Sequence, residues 1–166
     1  MDVGAYDDEL LAAIYDDDNR DGPDHDAMHI IDEAWTATLL DIARGLKPGG
    51  RLVFETRNPL NEPWKAWGGL AEARETSVGT LRQTESVSDP DSDGLVTMTT
   101  SHEFIDAERT IETTLRLRFR SAETLRRDLH SAGLRIENLW SEWSRTPFSG
   151  SAEERLIIVE ASRELD

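Results

Sequence analysis

Two acidic segments have the residue types and spacing of half a calcium-binding loop. They are D-x-N-x-D-G in residues 17–22 and D-x-D-x-D-G in residues 89–94, and their oxygens are the ligands that calcium prefers. An EF-hand loop closes with a bidentate carboxylate at its twelfth position, which is Met28 in the first segment and Thr100 in the second. Because aspartate and glycine are also ordinary turn residues, the sequence predicts turns here and no metal site.

The histidines offer a second possible metal or hydrolytic chemistry. His25 and His29 are four residues apart, so a helix would place them on one side. The catalytic zinc motif requires a glutamate directly after the first histidine, and this chain has Asp26 there. His102 and His130 have no serine nearby in a nucleophile-elbow context. We therefore predict that His25 and His29 are surface histidines, with neither a zinc site nor a hydrolytic triad.

Tryptophans are numerous for a chain of this length, and four of the five lie in two short segments. Trp64 and Trp67 follow a pair of prolines, and Trp140 and Trp143 lie at a predicted strand end. Indole rings at such positions pack into cores and rims, or they form the aromatic wall of a small-ligand pocket. The sequence leaves both interpretations open.

Composition limits the possible partners. The chain has 166 residues, no cysteine and a formal net charge of −16. We expect one domain that buries roughly 70% of its unfolded surface, without disulfides or a thiolate nucleophile. The negative charge would repel nucleic acids and anionic membranes, so we expect neither as a partner. The sequence has no secretion signal or membrane-spanning apolar run, which predicts a cytoplasmic protein.

Residues 38–59, TLLDIARGLKPGGRLVFETRNP, predict the element that positions the remaining candidate residues. Apolar residues at three- and four-residue spacing indicate a helix, which Pro48, Gly49 and Gly50 end in a tight turn. The apolar run 52–54 then predicts a strand that is covered on both faces, half of a βαβ unit.

Asn58 and Pro59 follow this strand. Open α/β sheets bind their ligands in a crevice at the carboxyl ends of strands. We therefore expect a ligand crevice at these two residues.

Periodicity and turn residues predict the other elements. The predicted helices are 9–15, 27–46 and 122–132, and the predicted strands are 51–56, 76–87, 95–105, 109–119, 134–143 and 155–161. Turns at 88–94 and 106–108 make the middle three strands antiparallel. We expect a single domain with four successive segments. Residues 1–26 form a lead-in helix with an acidic loop, and residues 27–59 form a helix–turn–strand. Residues 60–118 form an antiparallel insertion, and residues 119–166 form a C-terminal strand–helix–strand–strand.

Two separated blocks, 39–59 and 119–161, resemble class I S-adenosylmethionine-dependent methyltransferases. The first block matches that family's helix, L-K-P-G-G turn and strand. The second, FRSAETLRRDLHSAGLRIENLWSEW and then RLIIVEA, is similar to its final strand, helix, strand and last strand. The resemblance implies an α/β fold: a truncated Rossmann-like methyltransferase sheet with an added antiparallel β portion, α+β overall.

The resemblance also implies a cofactor and site residues. The opening AYDDELLAAIYDDDN is similar to a tyrosine-bearing lead-in near S-adenosylmethionine in some members, which places Tyr6, Tyr15 and Asp16 on the cofactor side. Asn58 and Pro59 correspond to the acceptor side, where a small molecule would bind. The aromatic-wall interpretation adds three residues to this substrate side: Trp64, Trp140 and Trp143.

The chain departs from the family in its first half. The family's glycine-rich loop and the acidic residue that binds the ribose have no counterpart here, and only a short polar segment lies between Asn19 and Glu33. The resemblance therefore predicts a methyltransferase homologue whose cofactor binding is impaired or absent in a single chain.

Three hypotheses remain open from the sequence. The homologue could act by dimerising, so that two partial sheets complete one site. It could be a non-catalytic homo-oligomeric binding module whose strands 51–56, 134–143 and 155–161 pair with the antiparallel set, with association covering an exposed sheet edge. It could also be a small α+β protein that binds an apolar ligand with 76–119 as its wall.

Overall fold

The computed structural model describes residues 8–18 and 32–163. The α-helices there are α1 (Glu9–Asp18), α2 (Asp32–Gly45) and α3 (Ala122–Ser131), and Pro59–Asn61 and Pro63–Ala66 form 3-10 helices. The strands are β1 (Arg51–Arg57), β2 (Gly69–Leu70), β3 (Arg74–Thr76), β4 (Gly79–Val87), β5 (Leu95–Phe104), β6 (Arg109–Arg118), β7 (Leu134–Trp140) and β8 (Leu156–Arg163). No helix in these ranges is long and apolar enough to cross a membrane.

The chain divides into two compact units. The first contains α1 and Trp64–Arg116, and the second contains α2 through Pro63 and Leu117 through β8. Each unit has its own sheet, so the hypothesis that strands 51–56, 134–143 and 155–161 pair with the antiparallel set is wrong. These strands pair with one another instead.

The helix–turn–strand segment of the second unit is confirmed. Leu46 closes the last helical turn on Ile42, and Gly50 N–H donates to the Lys47 carbonyl at 2.7 Å. Gly49 has a φ of 73°, which L side chains rarely adopt. A Cβ on Gly50 would lie 2.8 Å from the Lys47 oxygen. The turn therefore needs glycine at both positions.

β8 is the central strand of the second unit's sheet, antiparallel to β1 on one side and to β7 on the other. β1 and β7 consequently run in the same direction. Val53 is opposite Glu160, and Trp140 is opposite Ile158. A bulge between Ile136 and Asn138 shifts the register of β7.

Helices α2 and α3 cover one face of this sheet. Their buried side chains form a core with those of the strands: Trp35, Leu39, Ala43, Leu125, Leu129, Leu134, Leu139, Ile157, Val159 and Ala161. The Trp35 indole donates to Asp128 at 3.1 Å and meets Phe54 edge to face, with ring centroids 5.9 Å apart. The Arg120 guanidinium lies 4.1 Å from the centroid of the Trp35 ring, a cation–π contact.

The opposite face of β1 is polar and partly open. Leu52 and Phe54 pack against the core, whereas Val53 is 49% exposed. Alternate strand residues point to opposite faces, so Arg51 and Val53 share the face away from the helices. The prediction that β1 is covered on both faces is therefore wrong, because its apolar run is not matched by a second apolar layer.

The first unit is an antiparallel sheet with the strand order β2–β4–β5–β6, and β3 also pairs with β4. One predicted strand, 76–87, is in fact two, because a hairpin turn at Ser77 and Val78 separates β3 from β4. Gly79 has a φ of 103°, and Thr80 N–H donates to the Asp106 carboxylate at 2.6 Å. Sequence alternation alone did not reveal this Gly79 turn.

Helix α1 packs in the first unit through the apolar side predicted for it. Leu11 and Ile14 are buried in a cluster with Leu81 of β4 and Phe104 of β5. The helix extends to Asp18, three residues beyond the predicted end at 15. The predicted start of the second helix near Asp26 lies outside the described residues.

Candidate functional site

The carboxyl end of β1 is where the sequence predicts a crevice. Asn58 is 1% exposed there, and its amide donates to the carbonyls of Ser151 at 2.9 Å and Glu154 at 2.7 Å. Its side-chain oxygen accepts from Leu60 N–H at 3.2 Å, which caps the 3-10 helix that Pro59 begins. Asn58 thus ties the segment after β1 to the loop before β8, and its contact with a substrate stays a prediction.

The polar face of the second unit's sheet carries a buried carboxylate. Glu160, 7% exposed, accepts hydrogen bonds from Arg51 at 2.6 Å, Asn138 at 3.1 Å and Trp140 at 3.3 Å. The Asn138 hydrogen bond, with further help from Trp140, Arg51 and Arg145, lowers the pKa of Glu160, while burial opposes this shift. Glu160 is therefore an ionised acceptor that fixes three side chains on the sheet.

A second carboxylate lies on the same sheet. Glu137 accepts from the Ser162 hydroxyl at 2.6 Å and from Arg135 at 2.9 Å. These two hydrogen bonds lower the pKa of Glu137, with the Ser162 bond as the largest cause. Both carboxylates are thus already neutralised by an arginine of the sheet.

These groups line a cavity of about 700 Å³ on the polar face. Its size is within the range of small-molecule sites. The lining residues include four arginines and two glutamates, together with polar and aromatic neighbours: Gly49, Arg51, Arg135, Glu137, Asn138, Trp140, Arg145, Glu160, Ser162 and Arg163.

The turn after β7 brings Arg145 to this cavity. β7 ends at Trp140, three residues before the predicted end at 143, because Ser141 N–H donates to the Thr146 carbonyl at 2.8 Å and closes a turn. Arg145 has a φ of 68° in this turn. That conformation costs a residue with a Cβ roughly 1–2 kcal/mol.

The three predicted substrate-side tryptophans have different environments. Trp140 lines the cavity, and Trp143 is 62% exposed while its indole donates to Glu55 at 2.6 Å. Trp64 is buried and belongs to the first unit. The second unit therefore brings Trp140 and Trp143 to the same sheet, and a substrate role for all three stays a prediction.

The predicted cofactor residues lie at the margin of the described part. Tyr15 and Asp16 are in α1, but their side chains are outside what the structure describes, as is the whole of Tyr6. Their role in binding S-adenosylmethionine stays a prediction.

The acidic segment 89–94 forms the turn between β4 and β5. Asp91 accepts backbone hydrogen bonds from Asp93 and Leu95, each at 2.9 Å, and the Leu95 bond is the largest cause that lowers the pKa of Asp91. In the described ranges no group of three histidine or acidic residues could hold a metal ion. Most of the segment 17–22, and both His25 and His29, lie outside these ranges.

The sequence did not single out a polar row across the first unit's sheet. His102 is 8% exposed; its ring nitrogens lie 3.2 Å from Gln83 Nε2 and 3.0 Å from Thr113 Oγ1. Burial lowers the pKa of His102, which favours the neutral ring. The sequence did hold one clue to this polar row: His102 lies at a position of the predicted strand 95–105 where alternation places inward-facing side chains.

The polar cluster around Glu160 was also missed. The clue in the sequence was Glu160, the single charged residue in the apolar run LIIVEA. A carboxylate in a buried strand needs hydrogen-bond donors nearby. Those donors come from β1 and β7, and spacing along the chain cannot identify them.

No protein-family model matches the sequence, and no curated protein matches it. Solved structures do match. The CcbJ methyltransferase from Streptomyces caelestis is 14% identical with a TM-score of 0.58, and the match covers 83% of this chain and 53% of that one. An S-adenosylmethionine-dependent methyltransferase from Clostridium acetobutylicum is 16% identical with a TM-score of 0.59, covering 82% and 54%.

A third match is the sugar N-methyltransferase KedS8 from Streptoalloteichus, 16% identical with a TM-score of 0.57, covering 83% of this chain and 52% of that one. The chain thus spans about half the length of the solved structures it matches. At these identities the likeness concerns the fold, and it confirms the predicted α+β class. The second unit combines α-helices with a three-stranded sheet, and the first unit has a separate antiparallel sheet.

Proposed function

We propose that this chain is a homologue of S-adenosylmethionine-dependent methyltransferases that provides the acceptor side of the fold and binds the cofactor weakly or not at all as a single chain. The likeness of its fold to three solved methyltransferases supports the proposal that the chain is a methyltransferase homologue. Methyl transfer depends mainly on holding donor and acceptor in line, so a chain without a cofactor cradle would lack most of the catalysis.

One observation supports weak or absent cofactor binding by the single chain. Phosphate- and nucleotide-binding glycines follow a strand and open an α-helix. In the described ranges the one direct strand-to-α-helix connection is from β6 to α3, and its residues Phe119, Arg120 and Ser121 include no glycine. Gly49 and Gly50 precede a strand, and Gly133 follows a helix. The described residues therefore do not fit the cofactor.

We propose acceptor-side roles for the residues around the end of β1. Asn58 and Pro59 would shape the crevice there through the capped 3-10 helix. Trp140 and Trp143 would provide aromatic surface in the second unit, and Trp64 in the first. We propose Tyr6, Tyr15 and Asp16 as a residual cofactor side.

Thermal unfolding with S-adenosylmethionine tests this proposal. A ligand whose free concentration equals its dissociation constant stabilises a protein by about 0.4 kcal/mol. At the same concentration, a ligand that binds more weakly stabilises it by less. We expect millimolar cofactor to leave the Tm unchanged. A rise of several degrees that saturates would contradict impaired binding, and methylation of small amines by the purified chain would establish an active enzyme instead.

A homo-oligomeric module is a second candidate, which one feature of the sheet favours. Among the described strands β1 has a neighbour on one side only, and its Val53 is 49% exposed. Unpaired strand edges are templates for association. In this alternative a second copy covers β1.

Light scattering tests this alternative. We expect a dimer for the wild type and a monomer for Val53→Lys, because a charge on an edge strand opposes pairing. Leu60→Lys is the matched control, since Leu60 is 57% exposed in the same unit but lies in a 3-10 helix. A monomeric wild type would contradict this candidate function.

A further inference from the structure

The arginine-lined cavity lies away from the crevice predicted at Asn58. Gly49 and Arg51 are at the start of β1, and Ser162 and Arg163 are at the end of β8. Asn58 follows the other end of β1, about 20 Å away at about 3.3 Å per residue. The cavity therefore extends toward the opposite end of β1 from Asn58, and it shares Trp140 with the proposed acceptor side.

The charge of the cavity is opposite to that of the chain. The chain carries −16, whereas the lining has four arginines and two glutamates, which gives +2. Arg51 is paired with Glu160 and Arg135 with Glu137. Arg145 and Arg163 are the two charges left over, and neither forms an ion pair with a carboxylate in the part of the chain that the structure describes.

The two remaining arginines are held in different ways. Arg163 donates to the Leu46 carbonyl at 2.6 Å, which fixes its side chain on the face of β8 that Val159 and Ala161 share and that the helices cover. Arg145 is close enough to Glu160 to act on its charge. Its guanidinium hydrogen-bonds to none of the described residues, so its donors remain available to a ligand.

The backbone at Arg145 is a second, independent observation. Three non-glycine residues in the described ranges have positive φ: Glu62, Glu108 and Arg145. Of these, Arg145 is the one that lines the cavity. Glycine or asparagine would adopt this conformation more easily. Strained residues are concentrated at ligand sites, where the surrounding structure compensates for the strain.

We propose that this cavity binds a small oxyanion, the phosphate or carboxylate group of a small molecule, at Arg145. Guanidinium groups bind both anions through paired, charge-assisted hydrogen bonds. Asn138 and Ser162 lie beside the arginines as polar neighbours, and the Trp140 ring provides apolar surface for the rest of the molecule. The strongly acidic chain disfavours nucleic acids and membranes as sources of the anion.

Calorimetric titration at constant ionic strength tests the proposal, with pyrophosphate as the phosphate probe and citrate as the carboxylate probe. We expect at least one probe to bind at one site per chain. The probe that binds more tightly identifies the ligand group. Arg145→Asn should weaken binding about tenfold or more, the loss expected for one charge-assisted contact. Because asparagine tolerates the backbone conformation, this variant should unfold at the same or a higher temperature.

Arg82→Asn is the matched control, since it removes the same charge from an exposed ion pair of the first unit. It should leave the affinity unchanged. Three results would overturn the proposal: no saturable heat with either probe at tens of millimolar, equal affinity of Arg145→Asn and the wild type, or an equal loss in Arg82→Asn. The last result would mean that net charge alone governs binding.

Discussion

Single residues explain how this chain keeps charges inside its sheets. Glu160 is buried on β8 but accepts from donors on both neighbouring strands of the second unit. An ionised carboxylate is tolerated in such a place only with partners of this kind. The same side chains form the walls of the cavity, so folding and any binding there depend on one hydrogen-bonded group.

His102 is expected to make the first unit's stability depend on pH. An unperturbed histidine has a pKa of 6.5, and burial lowers the pKa of His102 in the folded state. As pH falls below 6.5 the unfolded chain takes up a proton that the folded ring resists, so folding loses stability. The loss is at most about 1.4 kcal/mol per pH unit. Denaturant unfolding at a series of pH values between neutral and mildly acidic measures it.

The control is His102→Gln, which keeps a polar side chain without a titrating group. The free energy of unfolding of this variant should change less with pH than that of the wild type. The difference between the two slopes is the contribution of His102. Parallel pH profiles for the wild type and His102→Gln would refute this account of His102.

At the scale of elements, the turn between α2 and β1 makes a specific prediction. Gly50→Ala should destabilise the chain by about 1–3 kcal/mol, because its Cβ would lie 2.8 Å from the Lys47 carbonyl oxygen. Gly45→Ala is the control: no atom lies within 4 Å of its added Cβ, and it is in a helix. It should stabilise by up to about 1 kcal/mol. Chemical denaturation measures both, and equal effects would contradict the steric argument.

The elements also show what sequence could and could not predict. The L-K-P-G-G turn and the Ser121 cap of α3 were predictable because each depends on residues within a few positions. The hairpin at Gly79 was missed because the run 76–87 alternates throughout, and the Asp106 carboxylate that lies beside Gly79 belongs to another turn. The Arg51–Glu160 contact joins residues 109 positions apart, which no local pattern encodes.

For the whole molecule, the central fact is the match to solved methyltransferases, which covers about half of each of those chains. The sequence resembles methyltransferases in two separated blocks, and the fold is similar to that of solved methyltransferases. Neither identifies a glycine-rich cradle among the described residues. This combination leads to the proposal of an acceptor-side homologue that cannot hold the cofactor alone.

Calorimetric titration of S-adenosylmethionine tests that proposal most directly when it is run at two protein concentrations, one at which light scattering finds monomers and one high enough to favour association. The account predicts no saturable heat from the monomer at millimolar cofactor. A saturable heat with one site per monomeric chain would contradict it.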